Sequence, residues 1–209
     1  MIGGGGMIGR RVVCEALDRG HAVTLLVRDA SKVTGIDERA DVVEGDVLDP
    51  RLAEQLQGQD VVVSAVGTAR AVDPDSSLYL RAAESLVRAL RGLGETAPRL
   101  LVVGGVGSLH DGSGRLLLER VPEDRRAEHL GQKAALDFYR GVSNVRWTYL
   151  SPPGRIAPGE RTGKYRAGAD ELVVGDDGES TISMEDYAVA LVDEAESPKH
   201  VGSRFTVGS

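Results

Sequence analysis

Cysteine, aromatic side chains, long apolar runs and excess positive charge are all scarce in this chain, and each scarcity removes a class of protein. A single cysteine, Cys14, cannot close an intrachain disulfide, and no cluster of Cys and His has zinc-site spacing. Aromatic residues make up 4%, too few for a surface that grips single-stranded nucleic acid by stacking. Against 25 basic side chains stand 32 acidic ones, a formal net charge of −7 without any long basic run, so no nucleic-acid partner is expected. No apolar run approaches the roughly 18 residues of a membrane span. No basic segment leading into an apolar one opens the chain. The expectation is a cytoplasmic protein without membrane contact. Its 209 residues suit one domain with one substantial core, and nothing in them fixes an oligomeric state.

Glycine, by contrast, is abundant. The 27 glycines are nearly twice the customary share of about 7%, so something in the fold wants bare backbone. Short apolar runs at 22–27 (AVTLLV), 41–44 (DVVE), 61–66 (VVVSAV), 100–103 (LLVV) and 145–150 (VRWTYL) alternate with longer helical patterns. Uninterrupted Val/Leu runs predict strands buried on both faces, as in a parallel sheet. Between them, residues 7–19, 79–91 and 125–140 repeat apolar positions at helical spacing, the last through Ala127, Leu130, Ala134 and Phe138. Strand–helix–strand alternation predicts a doubly wound α/β sheet over residues 1–150. Residues 151–209 change in character: 151–178 is rich in Gly, Pro and charge, a helix is expected over 184–196 with Ser183 as its cap, and a last strand over 204–207. This tail reads as a small lobe of the same domain, laid over the open end of the sheet to cover a substrate.

The chain opens Met1-Ile2-Gly3-Gly4-Gly5-Gly6-Met7-Ile8-Gly9. Gly3, Gly6 and Gly9 form G-x-x-G-x-x-G running straight into a helix that carries Met7 and Ile8. Such a turn brings backbone amides and a helix N-terminus up to a pyrophosphate, an approach that a Cβ would block. A glycine-rich turn alone is a weak signal; in a βαβ series it predicts a nucleotide site. Only Met1 and Ile2 precede Gly3, too few for a strand of about five residues. An empty central position would leave neighbouring strands with unpaired backbone groups. The first strand therefore reads as clipped, with the true start upstream.

The strand at 22–27 ends on Arg28, about where an acidic residue would take the ribose 2′-hydroxyl of NAD. An arginine instead offers a donor fork to a 2′-phosphate, with Lys32 close by, which favours NADP(H). Asp29 keeps NAD(H) open. Asp46 suits the adenine amino group and Val47 the adenine face, while the small Ser64-Ala65-Val66-Gly67-Thr68 lets a ribose lie on the backbone.

Together these residues resemble the short-chain dehydrogenase/reductase superfamily, in its atypical NAD(P)H-binding branch of NmrA-like proteins, biliverdin-reductase-B-like proteins and bacterial proteins named as NADH-flavin reductases. The likeness runs through GGGGMIG, RGHAVTLLVRD, VVEGDVLD, LLVVGGVGSL, WTYLSP, APGERTGKY and ISMEDYAVALVDE. It implies a Rossmann-type fold, a cofactor site at Gly3, Gly6, Gly9, Arg28, Asp46 and Gly67, and Ser151-Pro152 beside the nicotinamide. The clipped first strand is where the chain departs from the pattern.

Standard members carry Tyr-x-x-x-Lys, in which the lysine lowers the tyrosine pKa for proton transfer. Here Tyr79, Tyr139, Tyr149, Tyr165 and Tyr187 are followed four residues on by Ala83, Ser143, Pro153, Ala169 and Leu191, so the dyad is absent. The nearest substitutes are His129 and Lys133, one helical turn apart, and Ser108 past the end of a strand. Each has a plainer reading as a solvated flank or loop residue. His21, His110 and His200 have no partner at useful spacing. Reducing a ketone needs a poised proton donor; a flavin- or quinone-like ring spreads charge and can take its proton from water. The expected activity is therefore NADPH-dependent reduction of a conjugated small-molecule acceptor, FMN or FAD among them. A non-catalytic NADP(H) sensor of the NmrA kind is the rival, and a sugar epimerase or dehydratase a third reading.

Overall fold

The apolar runs become strands that point one way. The computed structural model describes residues 1–67 and 75–209. In chain order the strands are β1 (Thr24–Val27), β2 (Asp41–Glu44), β3 (Val61–Ser64), β4 (Arg99–Val103), β5 (Trp147–Ser151), β6 (Arg155–Ala157), β7 (Arg166–Gly168), β8 (Thr181–Ser183) and β9 (Ser203–Gly208). β1 pairs in parallel with β2, and β3, β4, β5 and β9 form a parallel run closed by antiparallel β7. β6 and β8 make a separate two-stranded ribbon.

Met1 and Ile2 join the two parts of the main sheet without forming a strand. Ile2 bridges in parallel to Leu26 on one side and Ser64 on the other. Its N–H donates to the Val63 carbonyl at 2.8 Å, and its own carbonyl accepts from Ala65 at 2.9 Å. Leu26 donates to the Met1 carbonyl at 2.9 Å. The sheet order is thus β2-β1-Ile2-β3-β4-β5-β9-β7. The chain crosses from one half to the other at Ile2, and the glycine turn leaves the sheet there.

Helices cover both faces. α1 (Met7–Asp18) packs with α5 (Met184–Glu196) on one, and α2 (Leu52–Leu56), α3 (Ser77–Leu93) and α4 (Glu123–Arg140) lie on the other. Period-two alternation divides the strand side chains between the two faces of the sheet. Leu100 and Val102 of β4 meet the α3/α4 side with Trp147 and Tyr149 of β5, while Leu101 and Leu150 meet the α1/α5 side with Tyr187 and Phe205. The Ser183 hydroxyl caps α5 by accepting from the Asp186 N–H at 2.9 Å, as its sequence position predicts.

Three expectations need correction. Residues 41–44 are a strand but not one buried on both faces: Val42 and Val43 stay 41% and 43% exposed. β2 is the outer strand, and the five-residue α2 packs on α3 instead of covering it. In α4 the buried stripe is not Ala127, Leu130 and Ala134 but Gly131, Ala135, Leu136 and Tyr139, with Leu130 48% exposed. Gly131 sets this phase, since a Cβ there would run into the Ser76 carbonyl; the helix meets its neighbour where it has no side chain. Finally, the tail is more than a cover. β9 and β7 widen the main sheet and α5 builds one of its cores. Residues 158–165 run along α1 and α5, with Arg161 bonded to Glu15 at 2.6 and 2.8 Å and Tyr165 donating to Asp193 at 2.7 Å.

Candidate functional site

The glycine turn is shaped by its missing side chains. Gly3 has φ +77°, and a Cβ on it would strike the Ala65 carbonyl. Gly9, in the first turn of α1, faces the Gly3 carbonyl just as closely. These two glycines are required by the protein itself. Gly6 is different: its backbone is extended, and the nearest atom to a Cβ would be the Gly3 oxygen at 3.4 Å. A Cβ on Gly5 would meet nothing within 4 Å. The outer side of the turn is therefore open space.

Gly6 caps α1 with no side-chain hydrogen bond, and no acidic residue sits in the first turn. The leading amides of Met7, Ile8 and Gly9 and the positive end of the helix dipole face outward without an internal partner. That is the chemistry a diphosphate needs, so these residues fit the group. Arg10, which the sequence pattern did not single out, donates from Nε to the Gly5 carbonyl at 2.8 Å and sets a guanidinium on the rim of the turn.

Beyond the turn, Arg28 at the end of β1 is exposed and has no ion pair among the described residues. Asp29 is occupied: its carboxylate accepts from Ser31 N and Oγ at 3.0 and 2.6 Å and pairs with Lys32 at 2.8 Å. The Lys32 bond, with the Ser31 hydroxyl behind it, holds the Asp29 carboxyl below its ordinary range. Lys32 is thereby engaged as well, which leaves Arg28 as the unspent charge. Asp46 takes the Leu48 N–H at 2.8 Å, and Val47 is buried in the core beside Leu52. Ala65 and Val66 lie half-buried against Gly3, and Gly67 is exposed; Thr68 falls outside the described residues.

Beyond β4 the run Gly104-Gly105-Val106-Gly107-Ser108 meets the first half of α4, again through glycines. A Cβ on Gly104 would enter the Tyr149 ring, and one on Gly105 the Gln132 carboxamide; one on Gly107 would stand 3.0 Å from the His129 Cβ. The Tyr149 hydroxyl accepts from the Gly105 N–H at 3.3 Å and donates to the Gln132 carbonyl at 3.0 Å, tying loop to helix. His129 is half-buried, and burial pushes its pKa below the ordinary imidazole value. Lys133 does not serve His129. It pairs with Asp137 at 2.6 Å along the helix.

Ser108 is placed away from this contact, buried, with its hydroxyl 3.4 Å from an Arg204 nitrogen. The Ser151 hydroxyl lies at the same distance from the same guanidinium and is fully enclosed, and Pro152 follows it in a buried stretch. Arg204 is itself held by Asp170, at 2.9 Å through Nε. Both serines therefore support the loop from behind. Sequence reasoning missed Gln132 and the Tyr79 hydroxyl, which donates to Glu128 at 2.8 Å beside Gly67. The spacing of Gly105 and Gly107 was the available signal, because paired glycines mark places where other side chains press in. Among the described residues no three metal-ligating side chains converge, and no helix is long and apolar enough to cross a membrane.

Comparison with known proteins agrees with this geometry. A family model described as NAD(P)H-binding matches residues 3–198. The Bacillus subtilis protein YwnB is 39% identical over 215 residues, covering all of this chain and 97% of the relative. A solved structure from Streptococcus pneumoniae, proposed to be an NADH-flavin reductase, is 33% identical with a TM-score of 0.86, covering 100% of this chain and 97% of its own. A proposed epimerase from Bacteroides thetaiotaomicron is 34% identical with a TM-score of 0.87, covering 99% and 94%.

Proposed function

Since this chain belongs to the NAD(P)H-binding family, an atypical branch of the short-chain dehydrogenase/reductase type, we propose that it uses NADPH to reduce a flavin- or quinone-like conjugated acceptor. The observation that carries the reading is the filled space after β4. Where a hydroxyl acid would stand, Gly104 and Gly105 admit the Tyr149 ring and the Gln132 carboxamide, and Lys133 is spent on Asp137. A carbonyl substrate that becomes an alkoxide would find no assembled donor dyad. A ring that spreads its charge needs none.

In this reading the turn from Gly3 to Gly9 and the leading amides of α1 hold the diphosphate, with Arg10 on its rim. Arg28 receives the 2′-phosphate and so selects NADPH. Asp46 borders the adenine pocket, and Ala65, Val66 and Gly67 offer bare backbone to a ribose. The bound nicotinamide supplies the hydride, and water supplies the proton that completes reduction of the acceptor. The side chains orient and enclose. A reduced nicotinamide pool makes the cytoplasm the expected compartment.

Steady-state oxidation of NADPH and NADH with FMN, FAD and simple quinones tests this. Turnover with a conjugated acceptor, faster with NADPH, is expected. NADPH held but never consumed by any acceptor would overturn the enzyme reading in favour of a sensor, and interconversion of a nucleotide-sugar would overturn it in favour of an epimerase.

A further inference from the structure

Glu128, in the first half of α4, is half-buried and has no ion pair among the described residues. Carboxylates are seldom drawn out of water without a cation to answer them. The hydrogen bond it does accept comes from α3, where the Tyr79 hydroxyl donates to Oε1 at 2.8 Å. An ionised carboxylate has about four acceptor sites, so most of its capacity is unspent among the described residues. As a tie between helices the charge is superfluous, since a glutamine would take the same hydrogen bond. Bare backbone builds the contact. A Cβ on Gly131 would strike the Ser76 carbonyl and stand 3.0 Å from the Tyr79 ring. α4 therefore comes down on the first turn of α3, and Glu128, one helical turn before Gly131, meets the hydroxyl.

The same hydroxyl stands 4.0 Å from where a Cβ on the exposed Gly67 would be. Tyr79 also lines, with Ser64, Val66 and Val103, a cavity of about 20 Å³ at the carboxyl ends of β3 and β4. Ala65 touches Gly3, so residues 65–67 lead from the glycine turn to the Tyr79–Glu128 pair. In the reading proposed above, the diphosphate lies at the turn and the adenosine runs toward Arg28. The other ribose of the dinucleotide then crosses residues 65–67, on the β3 side of the turn.

We propose that Glu128 binds the hydroxyls of the nicotinamide-side ribose, with Tyr79 as the positioning residue that orients its carboxylate. Two vicinal hydroxyls are both donors, and a carboxylate edge accepts both in charge-assisted hydrogen bonds. This rests on the NAD(P)H reading above and adds the residue that anchors the reactive half of the cofactor, for a flavin and a quinone acceptor alike.

Calorimetric titration of the wild-type protein, Glu128→Gln, Glu128→Ala and Tyr79→Phe with NADPH and with 2′-phosphoadenosine 5′-diphosphate tests this. The second ligand keeps the adenosine, the diphosphate and the 2′-phosphate but has no second ribose. The Kd for NADPH is expected to rise about tenfold in Glu128→Gln, further in Glu128→Ala and about threefold in Tyr79→Phe. The ligand without the second ribose should bind every variant as it binds wild type. Thermal melts confirm that each variant folds; Glu128→Gln keeps the shape and the Tyr79 hydrogen bond if Glu128→Ala does not fold. An unchanged NADPH Kd in folded variants, or the same loss with both ligands, overturns the proposal. Failure of the wild-type protein to bind NADPH would sink the cofactor reading and this proposal with it. Failure to reduce any acceptor would sink the reductase reading alone, and the two affinities would still decide this one.

Discussion

Gly6→Ala separates what the glycine turn does for the fold from what it does for a ligand. Gly6 sits at φ −75°, ψ 170°, a conformation open to alanine, and the nearest protein atom to the new Cβ is 3.4 Å away. Replacing glycine where no strain results stabilises by about 0.4–1 kcal/mol through the unfolded chain. Alanine is a poorer helix cap than glycine by a comparable amount. These effects offset, so Tm should stay within about 4 °C of wild type. Binding should respond very differently. The Cβ projects into the space before the first amides of α1, and displacing one charge-assisted hydrogen bond to a phosphate oxygen costs about 1.5–3 kcal/mol. At 1.4 kcal/mol per decade that is about a 10- to 150-fold rise in the Kd for NADPH. Calorimetric titration beside a melting curve reads both quantities. A variant that melts normally and binds NADPH within threefold of wild type would show that no diphosphate lies there. Gly9→Ala is the counterpart: its Cβ meets backbone on the inside of the turn, and overpacking of about 1–3 kcal/mol should lower Tm by several degrees with or without ligand.

Further outcomes follow from other contacts. Arg28→Glu should raise the Kd for NADPH by about 10-fold or more and leave NADH nearly unchanged, whereas Lys32→Ala, already engaged with Asp29, should change neither beyond about threefold; paired titrations check both. Glu15 is held below the ordinary carboxylate range chiefly by its hydrogen bond from Arg161, with Arg19 adding to it. Its contribution is therefore present above the unfolded value of 4.5 and lost as pH falls through the lower folded one. The Tm gap between wild type and Glu15→Gln should be widest near neutrality and close below about pH 4; a gap constant with pH would refute the assignment. Leu136→Ala should cost about 2–5 kcal/mol and Leu130→Ala less than about 0.5 in urea unfolding, the reverse of the order their side chains suggest from pattern alone.

Much of the fold was legible in the sequence because the strands are short Val/Leu runs with helices between them, and period alone separates the two. The cap at Ser183 and the parallel order followed from the same reading. Errors arose where glycine replaced an apolar side chain as the contact. In α4 the stripe was counted on Ala127, Leu130 and Ala134, yet Gly131 is the point of closest approach and turns the helix toward Ala135 and Tyr139. At β2 the residue types promised burial, but a strand at the margin has nothing beyond it to be buried against. At the site, the turn from Gly3 to Gly9 and Arg28 could be named from spacing. Gln132 could not, because its significance depends on Gly105 nearly thirty positions earlier. The engagement of Lys32 by Asp29 is likewise a matter of geometry that no local pattern records.

Glu15, on the helix that begins at the glycine turn, is fastened to Arg161, and Arg11 on the same helix to Glu185 at 2.6 Å. A ribosome makes that turn before its fasteners. Until residues 161–196 have emerged, α1 lacks both its anchors and the α5 partner on which it rests, so a nascent chain, or one cut before residue 161, would carry every glycine of the turn and still present it on a loose support. Nucleotide capture should therefore wait on the synthesis of α5, even though the glycine turn is made long before it.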